Sequence, residues 1–341
     1  MSLGLQDFDF KLPERLIAQH PVHPRDHSKL LVYDRATQTI QDRFFYELNS
    51  LLETDTTLVL NNSRVEKCRL LFDEGKMEIF VLDNMNPNCV QALVRPGKKF
   101  KKGKSVSLAP GIQAQVLSIT EDGVRTLKLS HTLDDPIFSP FKRTPLPPYI
   151  AQNEALSEQY QTIYAKDKGS KAAPTAGLHF TPELMQRITD VGVSIEELTL
   201  HVGMGTFAPV KTEWINEHIM HEESYFISEA VASRLAKSRH ITAVGTTSVR
   251  VLESVASLSS SAETNSLRKF NAGSGSTNIF ITPGYQYKAV DALITNFHLP
   301  KSTLLMLVAS FVGLEEMHRI YAYAIASEYR FYSFGDAMLL R

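Results

Sequence analysis

The sequence predicts an α/β protein: a mainly parallel sheet flanked by helices, with a second, all-β segment of its own that reads as a small barrel or sandwich. Three observations carry this. After the proline-rich stretch 144–150, strand-like and helix-like patterns alternate to the end of the sequence, as they do where helices cover a parallel sheet. From about Arg69 to Leu146 the pattern is instead one of short alternating strands and turns with no strong helix. The apolar run 291–297 then passes through a polar turn into an apolar helix from Ser302.

Composition bounds the answer. With 341 residues and 43% hydrophobic content, the chain can bury a core in two domains. Its 36 basic and 37 acidic residues nearly cancel, so a nucleic acid would have to be met by a local basic patch rather than by bulk charge. Cys68 and Cys89 show neither CxxC spacing nor a disulfide framework, which fits a reducing compartment. There is no signal peptide and no apolar run long enough to cross a bilayer, so a cytoplasmic protein without a membrane partner is expected.

The elements follow in order. Pro13 stands near the first turn of a short helix over 12–18, where its missing N–H costs nothing. Arg25, Asp26, Ser28 and Lys29 read as a solvated charged turn before a strand at 30–33. The strand 57–60 ends in Asn61, Asn62, Ser63 and Arg64, an array of directional donors and acceptors that suits a polar heterocycle or ribose, and equally a tight turn. Strands follow at 77–82, 90–94, 105–108, 113–119 and 124–129, with Glu121-Asp122-Gly123 as a hairpin turn. One connection gathers Arg95, Lys98, Lys99, Lys101, Lys102 and Lys104; it is either a solvated hairpin that guards strand edges or a salt-sensitive contact to phosphates.

In the second half, Thr181 caps a helix with Pro182 at its first position, and Gly192 marks a stop. A strand over 193–202 ends in Gly203-Met204-Gly205-Thr206. Ser228 caps a helix reaching about Lys237, and a strand over 241–244 turns through Gly245, Thr246, Thr247 and Ser248 into a helix beginning near Val249. A serine-rich surface loop at 257–276, strands at 278–282 and 291–297, a helical region at 303–327 and a strand-like piece at 329–340 complete the chain.

Ligands of open α/β sheets sit outside the carboxyl ends of the strands. The strand-end turns here carry Thr175, Gly177 and His179; His201 before its glycines; Gly245 to Ser248; and Asn296, His298, Lys301 and Ser302. Three hydroxyls at a helix start suit an anion or carboxylate, with about 0.3–1 kcal/mol from the helix dipole. The bland reading stays open beside this one, since a lone histidine on an apolar strand is commonly satisfied core. No Walker lysine, GxGxxG or GxSxG occurs, and His218 and His221 stand without HExxH or a Cys/His cluster, so no metal is expected. What remains suits a small polar cosubstrate that brings its own reactivity.

The segments NNSRV, AAPTAGLHFT, TLHVGMGTFAPV, HIMHEE, AVGTTSVRVLES, PGYQYKAVDALITNFHLPKSTLLMLV and YRFYSFGDAMLL, with FDFKLPERLIAQHP near the start, resemble the S-adenosylmethionine:tRNA ribosyltransferase-isomerase family of queuosine biosynthesis, collinearly from Phe8 onward. The resemblance implies a three-layer α/β domain over 1–64 and 150–341, interrupted by a smaller β-barrel domain over 65–149. It implies transfer and isomerisation of the ribosyl moiety of S-adenosylmethionine onto 7-aminomethyl-7-deazaguanine at the wobble position of tRNA, giving epoxyqueuosine and releasing adenine and methionine. The partners expected are that tRNA and the ribosyl donor, with no metal, and the protein is expected to be a monomer. By resemblance and position, His201 and His298 are the acid/base candidates, with Asp336 or Arg330 orienting them or stabilising charge. Asn62, Arg64, Thr175, Gly177, His179, Gly245, Thr246, Thr247, Ser248, Asn296 and Ser302 are placed around the cosubstrate or modified base. Lys98, Lys99, Lys101, Lys102 and Lys104 are placed on the tRNA backbone. Departures from the family pattern are small: Ser63 where Thr is common, Met204 where a smaller residue is usual, and a short tail after DAMLL. Two rivals are an inactive tRNA-binding protein of the same fold and a tRNA methyltransferase using the same cosubstrate.

Overall fold

The structure, a computed structural model, describes residues 3–151, 153–203, 210–258 and 268–341. The segment 204–209, which contains the Met204-Gly205-Thr206 turn, lies outside the described residues. The chain divides into two compact units, Met1–Arg64 with Pro147–Ala151 and Glu158–Arg341, and Val65–Leu146 with Gln152–Ser157.

The larger unit is built on a nine-stranded mixed sheet. Its order is Gly273–Thr277, Glu223–Ile227, Ser194–Leu200, Thr56–Asn61, His240–Val244, Ala292–Asn296, Ala337–Leu340, Lys29–Asp34 and Thr39–Phe44. The four strands from Ser194–Leu200 to Ala292–Asn296 run parallel. Ala337–Leu340 runs antiparallel to Ala292–Asn296 and parallel to Lys29–Asp34, and both margins of the sheet are antiparallel. The sheet is therefore mixed rather than mainly parallel. Side-chain alternation fixes which face a residue takes but not the direction of its strand, so the sequence pattern does not reveal the reversal.

Alternation sorts the core onto two faces. Val59, Ile241, Ala243 and Leu293 bury one way, with Val249, Leu305 and Tyr321 from the helices Thr246–Val255, Thr303–Val312 and Leu314–Ala326. Leu58, Leu60, Val244 and Ile294 bury the other way, with Leu48 and with Leu184 and Ile188 of the helix Pro182–Asp190. Each Val, Leu or Ile among them stabilises the fold by roughly 1.5–3 kcal/mol. The caps read from sequence, Thr181 and Ser228, are in place, and Ser302 caps its helix in the same way; each accepts from the backbone N–H three residues on.

Several boundaries differ from the sequence reading, some where tertiary pairing prevails over local pattern and some where a glycine resets the backbone. The helix expected over 12–18 is only a 3-10 turn, Glu14–Leu16, because Ile17 leaves it to pair with Phe331. The strand near residue 278 is Gly273–Thr277, where it pairs with Glu223–Ile227. The serine-rich segment contributes Ala256–Leu258 paired with Arg268–Phe270, and its residues 259–267 lie outside the description. The helix expected near Val249 begins at Thr246, and the one expected over 303–327 is broken at Gly313, whose φ of 94° ends the first segment. Only Ala337–Leu340 of the last piece is strand, because residues 330–336 form a turn pinned by Asp336.

The smaller unit is a seven-stranded antiparallel sheet in the order Lys142–Arg143, Arg69–Phe72, Met77–Asn86, Cys89–Arg95, Arg125–Leu129, Ile112–Ile119 and Ser105–Ala109. Ile112, Ala114 and Val116 alternate inward while Gln113 and Gln115 face solvent. Its first and last strands do not pair among the described residues, so the sheet is an open half-barrel rather than a closed barrel. Gly123, at φ 86°, makes the expected hairpin turn.

Candidate active site

The carboxyl ends of the four parallel strands, at Leu200, Asn61, Val244 and Asn296, form one rim of the large sheet. Neighbouring strands lie about 4.8 Å apart, so the outer two of these four are separated by roughly 14 Å. The 3-10 turn Thr175–His179 packs against the strand that ends at Asn296. Most of the residues singled out from sequence leave from this rim.

A chain of hydrogen bonds fixes its centre. The Thr175 hydroxyl donates to Asn296 Oδ1 (2.8 Å), and Asn296 Nδ2 faces His179 Nε2 (3.1 Å). His179 Nδ1 in turn meets the Ser28 hydroxyl at 2.8 Å. If the amide donates to Nε2, the ring carries its proton on Nδ1 and donates it to Ser28. The imidazole stacks on Phe45 at 4.9 Å between centroids. Burial pushes its pKa down to about 3, with the Arg330 and Arg25 guanidiniums adding to the shift. His179 is thus a neutral, oriented hydrogen-bonding group rather than a cation. Ser28 and Arg25 are not the solvated turn expected from sequence: Ser28 is buried, and Arg25 donates to the Gln159 and Gln161 carbonyls.

The neighbouring strand ends carry a second polar group. Asn61 is structural: it donates to the Leu200 carbonyl and accepts from Leu200 N and Ser63 N, so the tight-turn reading holds for this residue. Asn62 accepts from Thr199 Oγ1 at 2.8 Å and donates to Glu197 at 3.2 Å. The Thr199 hydroxyl also lies 3.0 Å from Asp167 Oδ2, and Lys166 pairs with Glu197 at 2.7 Å. The His201 ring lies over Gly169, where a β-carbon would come within 2.9 Å of Nδ1. Asn62, Thr199 and Asp167 line one open cavity of about 360 Å³.

Tyr164 links the two groups. A β-carbon at Gly177 would collide with its hydroxyl, which explains the glycine in that turn. Burial, and secondarily the Glu197 carboxylate, push the Tyr164 hydroxyl well above its ordinary range. The Tyr164, Thr162, Thr247 and Ser63 hydroxyls are all buried, with no hydrogen-bond partner among the described residues. Leaving a hydroxyl in that state costs about 1–3 kcal/mol. Sequence reading did not place Ser28, Thr162, Tyr164, Asp167 or Thr199 at the site, although Thr199 opens the segment TLHVGMGTFAPV. Ser28 and Tyr164 become visible only once the fold buries them.

Other candidates are placed elsewhere or are already engaged. Asn296 shares its face with Ile294, whereas Thr295 shares the opposite face with Leu293. His298 belongs to that opposite face, with Nε2 2.9 Å from Thr295 Oγ1 and its backbone N–H donating to the Tyr321 hydroxyl. Burial holds its pKa at about 3. Asp336 accepts from Lys29 N (3.0 Å) and Arg330 N (2.7 Å), and burial raises its pKa against these bonds and the Arg330 charge. Arg330 also donates to the His20 carbonyl, so this pair supports the wall behind His179. The Ser248 hydroxyl donates to Val244 O, the Ser302 hydroxyl caps its own helix, and Lys301 pairs with Asp9. Thr246 is buried in the first turn after Gly245, whose φ is 84°, and Arg64 is half-buried.

In the smaller unit, Lys98, Lys99, Lys101, Lys102 and Lys104 are all exposed, and none has an ion-pair partner among the described residues. Among those residues no group of three or more His, Cys, Asp or Glu side chains is placed to hold a metal ion, and no helix is long and apolar enough to cross a membrane.

Comparison with known proteins agrees along the whole chain. Residues 5–340 match the family described as "Queuosine biosynthesis protein". A protein of Desulfitobacterium hafniense named S-adenosylmethionine:tRNA ribosyltransferase-isomerase is 46% identical, covering 99% of this chain and 100% of its own length. A protein of the same name from Thermotoga petrophila is 47% identical over 99% of this chain and 100% of its own. The crystal structure of an S-adenosylmethionine tRNA ribosyltransferase from Thermotoga maritima superposes with a TM-score of 0.55 at 37% identity, covering 98% of this chain and 100% of that one. With a family match across nearly all its residues and relatives this similar over their full lengths, the chain belongs to the queuosine biosynthesis protein family.

Proposed function

We propose that this protein is an S-adenosylmethionine:tRNA ribosyltransferase-isomerase. It transfers and isomerises the ribosyl moiety of S-adenosylmethionine onto 7-aminomethyl-7-deazaguanine at the tRNA wobble position, giving epoxyqueuosine-tRNA and releasing adenine and methionine. The observation that carries this reading is the rim itself: an oriented array from Thr175 through Asn296 to His179, beside buried hydroxyls of Thr162, Tyr164 and Thr247 that lack partners among the described residues. A ribose-bearing cosubstrate supplies the missing hydrogen bonds. The full-length relatives of that name support the same assignment.

The chemistry asks for little more. A sulfonium acidifies its neighbouring 5′ carbon, so one base can begin the rearrangement and an acid can assist the departure of adenine. His201 is our first candidate, being half-buried at the end of its strand beside the Asn62 group. A cation bound near His179 or His298 would lower their pKa values further, which suits hydrogen bonding better than proton abstraction. Arg330 and Asp336 act as positioning groups. The lysines from Lys98 to Lys104 hold the tRNA backbone. The larger unit corresponds to a three-layer α/β domain, a reading supported by the apolar clusters on both faces of its sheet, interrupted by the smaller β unit.

The test is incubation with S-adenosylmethionine and tRNA bearing the aminomethyl base. Adenine release is the expected product. S-adenosylhomocysteine would mark a methyltransferase instead, and tRNA binding without either product would mark an inactive module.

A further inference from the structure

The rim opposite the candidate active site holds another cleft, of about 590 Å³, within the range of small-molecule sites. There the amino ends of three parallel strands, at Thr56, His240 and Ala292, meet the carboxyl ends of the two strands that run the other way, at Asp34 and Leu339. Strand alternation places Thr56, Thr242, Ala292 and Leu339 on the same face as Leu58, Val244 and Ile294. Leu51 and Leu52 complete an apolar wall.

Two polar groups in the cleft are incomplete. Thr242 is fully buried, and its hydroxyl has no hydrogen-bond partner among the described residues. Arg341 Nε is also buried without one; it faces Asp34 Oδ2 at 3.7 Å, beyond hydrogen-bonding reach, while Nη1 donates to the Leu51 carbonyl. The other charges lining the cleft are Arg35 and Glu53, so two guanidiniums are matched by two carboxylates beside the apolar wall.

We propose that this cleft binds a small zwitterion, an α-amino acid with an apolar side chain. Its carboxylate meets Arg341 and Arg35, its ammonium meets Asp34 and Glu53, and its side chain lies along Leu51, Leu52 and Leu339, with the Thr242 hydroxyl completing the polar contacts. A ligand of one charge would engage only the guanidiniums or only the carboxylates. The site is distinct from the rim assigned above and needs neither tRNA nor a ribosyl donor.

Calorimetric titration of the full chain with L-leucine tests this, against 4-methylpentanoate and 3-methylbutylamine, which each keep one of its two charges. Saturable binding of L-leucine is expected, with both single-charge probes weaker by about 10-fold or more. Thr242→Val is expected to weaken L-leucine by about 5-fold, Thr242→Ser to restore it, and Arg341→Gln to remove it. No saturable heat from L-leucine up to about 10 mM would overturn the proposal. So would equal affinity for the three probes, or an affinity unmoved by both Thr242→Val and Arg341→Gln. The comparison of probes on the unmodified protein keeps the test decisive if a variant misfolds, and adenine release, measured separately, reports only on the other rim.

Discussion

Two neutral, buried histidines give the protein an acid sensitivity whose sign and size follow from the structure. His179 and His298 are each held at about pKa 3, against an ordinary value of 6.5, chiefly by burial. A group whose folded pKa is depressed is protonated first in the unfolded chain, so stability is full above pH 6.5 and falls as pH drops toward about 3. At pH 5 the unfolded imidazole is almost fully protonated and the folded one is not, a difference of about 2 kcal/mol for each histidine, or about 4 for the pair. The assay compares urea unfolding of wild type with the double variant His179→Gln, His298→Gln between pH 7.5 and pH 5. The variant should be less stable at neutral pH, since the imidazole hydrogen bonds to Ser28 and Thr295 are gone. The stability gap should then narrow by about 4 kcal/mol on acidification. A gap that stays constant would refute the reasoning, as would imidazole resonances in the folded protein that titrate near 6.5.

Other outcomes are expected from single side chains. Thr175→Val removes the hydroxyl that orients Asn296 and is expected to lower turnover by about 10-fold or more, read as adenine release; unchanged turnover would detach this array from the reaction. Tyr164→Phe removes a buried hydroxyl with no partner among the described residues, so thermal stability should hold or rise by up to about 1 kcal/mol while cosubstrate affinity falls; reduced stability with full affinity would contradict the assignment. Replacing Lys98, Lys99, Lys101 and Lys102 by Ala should weaken tRNA binding and flatten its dependence on salt, by a slope of about 0.7–0.9 for each phosphate that is no longer neutralised. Arg250→Met takes the guanidinium from the buried Glu223 carboxylate, which also accepts from Gly203 N near His201, and should cost about 3–5 kcal/mol in a melting experiment; a cost near zero would mean that the other contacts of Glu223 suffice to hold its charge.

Much of this architecture was legible in the sequence because alternation and capping are local. The strand Thr56–Asn61 and the caps Thr181 and Ser228 could be read within a few residues. So could the turn at Gly245, where a positive φ calls for glycine. Strand direction could not, and with it went the antiparallel place of Ala337–Leu340. The face taken by a strand-end residue was equally hidden. Asn296 and His298 lie two positions apart, yet one joins His179 and the other turns toward Thr295 and Tyr321. A motif containing both gives no hint that they part. Ser28 and Arg25 failed for a related reason: in sequence they belong to a charged turn, and only the packing of residues 159–161 and His179 against them shows them to be partly or fully withdrawn from water.

The distribution of charge along the rim bears on how a cationic cosubstrate would lie there. At the His179 end the guanidiniums of Arg25 and Arg330 are both close enough to depress the imidazole, Arg330 being paired with Asp336. At the Asn62 end Glu197 is paired with Lys166 and Glu196 with Arg234, which leaves the Asp167 carboxylate, 3.0 Å from the Thr199 hydroxyl. A sulfonium placed beside His179 would meet the like charge of Arg25, which at an effective dielectric near 20 costs on the order of 2 kcal/mol at 8 Å, while Asp336 offsets that of Arg330. Beside Asp167 the sign reverses. Under the proposed function the reacting sulfur therefore belongs toward Asn62 and His201. A carboxylate or the departing adenine then lies toward His179, where Asn296 and Ser28 keep a neutral imidazole in one orientation.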